Sequence, residues 1–243
     1  MTGILVFAPH PDDETLGCGG SIAHHIAMGR SVNVVFLTSG EQGVVGVAGE
    51  RAGALREREA ELAVGKLGVA SDSTHFLRLP DGGLDPGDRE QFLSVLRLVR
   101  RLQPAVVYLP HAADAAHDHR QAFQLVWRGL EKCASRSYPH AGARHWVGTV
   151  LAYEVWSPIP VPSYLHSLSP PEIEAKKAAL SCYSTQVKGE GEVDYAGEGG
   201  VALARFRGAM SVGGHCEAFA VLRLEEPNWA PDPEHASTRA ATT

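Results

Sequence analysis

Two short stretches of the sequence concentrate histidine and carboxylate side chains. The first, at residues 8–14, reads APHPDDE, and the second, at residues 110–119, reads PHAADAAHDH. Imidazole and carboxylate groups bind divalent metals and move protons near neutral pH. Helix capping by Asp12 or Asp13 explains one carboxylate of the first stretch but not all three, because buried like charges repel unless a cation is present. A metal site with acid–base chemistry is the stronger interpretation.

Each stretch directly follows an apolar run that predicts a buried strand, GILVFA at residues 3–8 and AVVYL at residues 105–109. Further strands are predicted at residues 31–37, 75–79, 147–156 and 218–224, the last at a sheet edge, and helices at residues 15–29, 49–68, 86–102, 170–183 and 199–208. This alternation predicts an α/β fold, a single Rossmann-like domain with a mostly parallel sheet and helices on both faces. Ligands bind beyond the carboxyl ends of such strands, so both stretches should meet at one rim.

Length and composition narrow the class of protein. The 243 residues suit one domain, which we place at residues 1–224, followed by a proline-rich, polar and flexible tail at residues 225–243. The net charge of −6 argues against a nucleic-acid partner. We expect no membrane association and a cytoplasmic location, because no apolar run of about 18 residues and no export signal is seen and the four cysteines are scattered. The expected partner is a small molecule, and a homo-oligomer stays open.

Three function classes fit these residues to different degrees. A His/Asp/His set with an open fourth position is typical of catalytic zinc and is compatible with a metal-dependent amide hydrolase, although His119 alone could be a buried histidine at a helix start. The pair His117-Asp118 resembles the metal-binding pair of a metal-dependent phosphohydrolase. That chemistry is usual in helical bundles, whereas the residues here follow predicted strands. The third class is a nucleotide-binding module, and it is disfavoured because the glycines at residues 17–20 lack the spacing of a dinucleotide-binding loop.

Further motifs follow the first loop in a characteristic order. They are Thr38-Ser39-Gly40-Glu41, Arg56 with Glu59, Leu79-Pro80-Asp81-Gly82, the YEVWSP stretch at residues 153–158, Lys176 with Ser184-Thr185-Gln186, Phe206-Arg207-Gly208 and Glu217-Ala218-Phe219. Together with the APHPDDE loop, they resemble the PIG-L/LmbE family of zinc-dependent N-deacetylases up to about Arg223.

The resemblance implies a role for each matching residue. It makes His10, Asp13 and His119 the ligands of one zinc ion per chain, or of another divalent metal, and Asp12 the general base. Glu14 would support the loop from outside the metal shell. Substrate-binding residues would be Glu41, Arg56, Asp81 and His215, although Arg56 also fits an ion pair with Glu59 and Asp81 a simple turn.

One position departs from the family pattern. Many members have an H-x-x-H element whose first histidine protonates the leaving amine, but Ala116 stands three residues before His119. We expect His117 to be the proton donor, with His111 and His215 as alternatives. The predicted function is hydrolysis of an N-acetyl or N-acyl group from an amino sugar, such as an N-acetylglucosamine-containing small molecule or natural-product intermediate. The alternatives are a thiol-cofactor conjugate or precursor of the mycothiol or bacillithiol type, and phosphohydrolysis.

Overall fold

The computed structural model describes residues 3–47, 49–186, 198–211 and 213–224. In these residues the strands are β1 (Gly3–Ala8), β2 (Ser31–Thr38), β3 (Thr74–Leu79), β4 (Val106–Pro110), β5 (Thr149–Tyr153), β6 (Tyr164–Leu168) and β7 (His215–Leu224). The α-helices are α1 (Asp13–Ala27), α2 (Glu50–Lys66), α3 (Arg89–Leu102), α4 (His117–Cys133), α5 (Pro170–Leu180) and α6 (Gly200–Ala209). The predicted tail at residues 225–243 lies outside the described residues.

The strands form one sheet in the order β3-β2-β1-β4-β5-β7-β6. Strands β1 to β5 pair in parallel, and β7 runs antiparallel to both β5 and β6. The predicted α/β fold with a mostly parallel sheet is therefore confirmed. Because β1 and β4 are neighbours, the two loops rich in histidine and aspartate leave the same edge of the sheet.

The strand predicted at the antiparallel end of the sheet differs from the structure in its start and in its place in the sheet, and two elements were missed. The strand predicted at residues 218–224 as an edge strand begins earlier, at His215, and lies between two partners. The strand at this edge of the sheet is β6. It was not predicted because its sequence, YLHSL, has no continuous apolar run, and most of its side chains are exposed in the structure. The helix α4 was also missing from the predicted helices.

The core lies on both faces of the sheet. Along β1, Leu5 and Phe7 pack with α3 and α4, whereas Ile4, Val6 and Ala8 pack with α1, α2 and α5. Alternate side chains of a strand point to opposite faces, so a strand covered on both faces is apolar at every position. This burial fixes the strands whose carboxyl ends carry the polar loops.

The helix α1 is broken near Cys18, where the backbone leaves helical geometry. An ion pair is inserted at the break: Lys176 Nζ donates to Leu16 O at 2.8 Å, and Gly20 N donates to Glu217 Oε1 at 2.9 Å. In an unbroken helix this carbonyl and this amide would bond to each other. The buried pair, 2.7 Å apart, thus replaces the lost helical bond and ties α1 to α5 and β7.

The described helices do not include one with the length and apolar character needed to cross a membrane. All four cysteines are free thiols, and three of them are buried.

Candidate metal centre and active site

Asp12 lies in the loop between β1 and α1 with a backbone conformation unusual for a residue with a side chain. Its φ is 121° and its ψ is −31°, a strain of about 1–3 kcal/mol that the surroundings must compensate. Its amide donates to Glu14 Oε2 at 3.1 Å. Arg56, which is buried, donates to Pro11 O and to Asp12 Oδ2, the latter at 3.1 Å. These contacts fix where the Asp12 carboxylate points.

His10, Asp13 and His119 meet where the two loops converge. Asp13 Oδ2 lies 3.2 Å from His10 Nδ1 and 3.2 Å from His119 Nε2. The three ligand atoms all lie within 4.8 Å of one another. Two loops separated by more than a hundred residues thus bring one carboxylate and two imidazoles together, as β1 and β4 predict.

The donor set fits a divalent metal ion. Among the described residues, neither buried ring nitrogen of His119 has a well-formed hydrogen bond, and an unsatisfied buried Nε2 is costly unless a ligand such as a metal ion binds it. Nitrogen and carboxylate oxygen are ligands that zinc accepts, and three protein ligands leave a position open. We therefore take this group as the candidate metal centre.

The far side of each histidine faces a carboxylate. His10 Nε2 lies 3.2 Å from Asp81 Oδ1 and 3.3 Å from Asp118 Oδ2. His119 Nδ1 lies 3.5 Å from Asp114 Oδ1. Metal-bound histidines commonly have such a partner, which fixes the ring and its tautomer.

The sequence led us to expect Glu14 to cap or support this loop, and in the structure Glu14 accepts a hydrogen bond from the loop backbone at Asp12 N. Besides the Asp12 amide, it accepts hydrogen bonds from Thr15 and from Tyr183, the latter at 2.6 Å. Asp114 and Asp118 were not assigned a role from the sequence. Their presence in the same PHAADAAHDH stretch was the available signal.

The electrostatic field of the centre is negative. Burial lowers the pKa of His119, but Asp13 and Asp114 outweigh it and raise that pKa to about 9. Burial likewise lowers the pKa of His10, while hydrogen bonds to Asp118, Asp13 and Asp81 raise it well above its usual value. The carboxylates that hold protons on these rings would equally attract a metal cation. Burial raises the pKa of Asp12 to about 7, against the opposing charge of Arg56.

A cleft of about 280 Å³ opens beside this centre. Its walls include Asp12, Arg56, Asp81 and Trp156. Glu41 lines an adjacent groove of about 680 Å³, and its Oε1 accepts a hydrogen bond from Asp81 N at 2.9 Å. Of the predicted substrate residues, the structure brings Arg56 and Asp81 to the cleft and Glu41 to its neighbour.

The other predicted histidines lie elsewhere. His117 is exposed at the start of α4, two residues from His119 and so about 200° around the helix from it. His215 is half-buried at the start of β7, and in the described part of the chain neither residue lines the cleft. His111 is buried, with Nε2 2.8 Å from Ser157 O and Nδ1 accepting from Ala113 N. Both nitrogens of His111 are thus occupied by backbone groups.

Comparison with known proteins agrees with this geometry. Residues 5–129 match the model of the PIG-L family, GlcNAc-PI de-N-acetylase. The chain belongs to the PIG-L family. The predicted family is therefore confirmed.

Named relatives and solved structures extend the match. A Rhodococcus erythropolis protein, a 1D-myo-inositol 2-acetamido-2-deoxy-alpha-D-glucopyranoside deacetylase, is 28% identical over 240 residues, covering 76% of this chain and 81% of its own. The conserved protein TT1542 from Thermus thermophilus is 33% identical, with a TM-score of 0.80 over 96% of this chain and all of its own. The N,N'-diacetylchitobiose deacetylase from Pyrococcus horikoshii shares the fold at 21% identity, with a TM-score of 0.76 over 91% of this chain and 84% of its own.

Proposed function

We propose that the protein is a zinc-dependent deacetylase that hydrolyses the N-acetyl group of an N-acetylglucosamine-containing small molecule. The observation that carries the proposal is that Asp13 Oδ2 lies 3.2 Å from a nitrogen of both His10 and His119, with His10 and Asp13 lining a cleft. The deacetylase relatives act on this class of amino sugar according to their names.

Asp12 is the proposed general base. It lines the cleft beside the metal group without belonging to the three residues that converge there. Zinc held by His10, Asp13 and His119 would polarise the amide carbonyl and make water more acidic. Asp12 would accept the proton of the attacking water, with its carboxylate oriented by Arg56.

The leaving amine also needs a proton, and the positions of the candidate histidines support a donor other than His117. His117 is exposed, His111 has both ring nitrogens occupied, and His215 is not among the described residues that line the cleft. We therefore assign both transfers to Asp12, which takes a proton from water and then returns it to the nitrogen as the C–N bond breaks. The atoms balance as one water consumed, with acetate and an amine released.

The walls of the cleft disfavour the phosphohydrolase alternative. Asp12, Asp13 and Asp81 line the cleft together with Arg56, whose guanidinium is already paired with Asp12. An amide carries no charge, whereas a phosphate ester would meet the carboxylates of Asp12 and Asp81, which are not among the three proposed metal ligands. A neutral sugar can instead use Asp81 and Arg56 as hydrogen-bond partners for its hydroxyl groups.

A second candidate is a larger substrate whose amino sugar is joined to another ring, as in a thiol-cofactor precursor. The favouring observation is the groove beside the cleft, whose walls carry Glu41, Ser39, Glu57 and Arg78. Polar groups in that groove could bind the hydroxyls of the second ring. The 1D-myo-inositol conjugate named for the Rhodococcus relative belongs to this class.

The test is amine release from N-acetylglucosamine, N,N'-diacetylchitobiose and an N-acetylglucosaminyl inositol, alongside phosphate release from p-nitrophenyl phosphate. We expect zinc-dependent release of an amine and of acetate in equal amounts, and none in His10→Ala protein. A preference for the inositol conjugate would support the second candidate. Phosphate release without amine release would overturn the proposal.

A further inference from the structure

A second group of metal-ligating side chains lies apart from the cleft. It consists of His24 in α1, His166 in the edge strand β6 and Glu172 in the first turn of α5, and one ligand atom of each lies within 4.8 Å of the others. His24 follows Asp13 by eleven residues, in the part of α1 beyond the break at Cys18, and the two groups share no residue. The group is therefore distinct from the first metal centre.

The hydrogen bonds around Ser21 define the tautomer of His166. Glu217, paired with Lys176, accepts the Ser21 hydroxyl proton at an Oγ to Oε2 distance of 2.7 Å. Ser21 Oγ is also 2.8 Å from His166 Nδ1, so it must accept the proton of that nitrogen. The neutral ring then carries its free lone pair on Nε2. Metal-bound histidines have this arrangement, with the other ring nitrogen donating to an oxygen.

Glu172 is oriented by its own helix. In the capping box of α5, its Oε2 accepts a hydrogen bond from Ser169 N at 2.7 Å, which leaves Oε1 2.8 Å from His24 Nδ1. The rings of His24 and His166 meet edge to face, with centroids 4.6 Å apart. The Glu172 side chain is only 12% exposed, whereas that of His24 is 36% exposed. One side of the group is thus open to solvent.

We propose that His24, His166 and Glu172 form a second binding site for a zinc-like divalent cation. Two imidazoles and one carboxylate, with solvent able to supply a fourth ligand, match the ligand types and number that zinc accepts. Three separate elements contribute, so a bound ion would link the edge strand to α1 and α5. Since the ion binds the folded chain, it would also stabilise the fold by mass action.

The test uses the full chain without an added polyhistidine tag. In a His10→Ala/His119→Ala variant, equilibrium dialysis with zinc and elemental analysis report on the second site alone. We expect one zinc per chain in this variant and two in the wild type. Adding His166→Ala should remove the remaining zinc, and a Glu172→Gln change, which keeps the shape of the side chain, should weaken it strongly.

Two further variants separate a built site from a surface ion pair. Ser21→Ala removes the partner of His166 Nδ1 and should weaken zinc binding roughly 10- to 100-fold, the usual cost of losing such a partner. Glu174→Gln, an exposed position in the same helix, should leave affinity unchanged. Zinc should raise the thermal unfolding temperature of the His10→Ala/His119→Ala protein, and His166→Ala should abolish that rise.

The proposal is overturned if the His10→Ala/His119→Ala protein retains no zinc, or if it retains the same zinc after His166→Ala. The reciprocal variant, His24→Ala/His166→Ala, measures the first centre by itself. If the His24→Ala/His166→Ala protein binds no zinc, the proposed catalytic ligands are wrong, but the result for the second site is unchanged. The two proposals therefore fail separately.

Discussion

Asp114 offers the sharpest test of how the first metal centre is held. Its side chain is fully buried, with Oδ1 3.5 Å from His119 Nδ1 and 2.9 Å from Ala116 N. Its Oδ2 accepts hydrogen bonds from the backbone amides of Trp156 at 3.1 Å and Ser157 at 3.3 Å. Asp114→Asn keeps the size of the side chain but supplies only one acceptor oxygen. In either orientation its NH₂ group then faces donors, and the charge beside His119 is lost.

The expected cost follows from the role of such outer partners. Their loss commonly weakens metal binding about 10- to 100-fold, which corresponds to roughly 1.4 to 2.7 kcal/mol. Unsatisfied buried amides of the β5 loop add a loss of about 1 to 3 kcal/mol in the free energy of unfolding. Zinc affinity is measured by competition with a chromogenic chelator, and stability by urea unfolding of the metal-free protein.

The matched control is Asp72→Asn, whose exposed carboxylate accepts a hydrogen bond from the neighbouring Ser73 hydroxyl and lies outside the candidate metal centre. It should change neither quantity. If Asp114→Asn loses stability but binds zinc as the wild type does, then Asp114 supports the loop alone. The inference that it orients His119 for a metal would then be refuted.

Three further changes test the site and the fold. Asp12→Asn should retain zinc while kcat falls about 10²-fold or more, as loss of a general base predicts; retained turnover would remove Asp12 from the mechanism. Gly17→Ala places a Cβ 2.2 Å from Tyr153 Cδ2 and should destabilise the fold by about 1–3 kcal/mol in urea unfolding, whereas Gly65→Ala, which meets nothing within 4 Å, should not destabilise it. His25→Gln should flatten the acid dependence of stability. Burial and the Arg30 charge lower the His25 pKa to about 4, below its unfolded value. The contribution of neutral His25 to the free energy of unfolding is thus present above about pH 6.5 and decreases by about 2 kcal/mol by pH 5. An equal pH dependence of urea unfolding in the wild type and in the His25→Gln protein would contradict this.

The position of the candidate metal centre at one end of the sheet was predictable because its supporting strands have a strong sequence signal. β1 and β4 are buried on both faces, so both appear as uninterrupted apolar runs followed by polar loops. Parallel strands present their carboxyl ends at the same edge of the sheet, so the sequence alone predicts that His10 and His119 lie close together.

The partners of the two histidines were not predictable in the same way. Asp81 reaches His10 from the loop after β3, although β2 lies between β3 and β1. No sequence spacing records such a contact across the sheet. The exposure of His117 depends equally on where α4 begins, because a shift of one residue rotates each side chain by about 100°.

The C-terminal half of the chain contacts the helix α1, whose first turn carries part of the candidate metal centre. Asp13 and Glu14 lie in the first turn of α1, and the break at Cys18 would leave that turn weakly attached to the rest of the helix. Lys176 and Glu217 restore the connection, because they satisfy the carbonyl and the amide that the break separates. Each of the two is buried, so removal of one would leave the other as an uncompensated charge, a loss commonly of about 3–5 kcal/mol. Lys176 and Glu217, which are far from Asp13 in the sequence, thus help to fix the position of this proposed metal ligand.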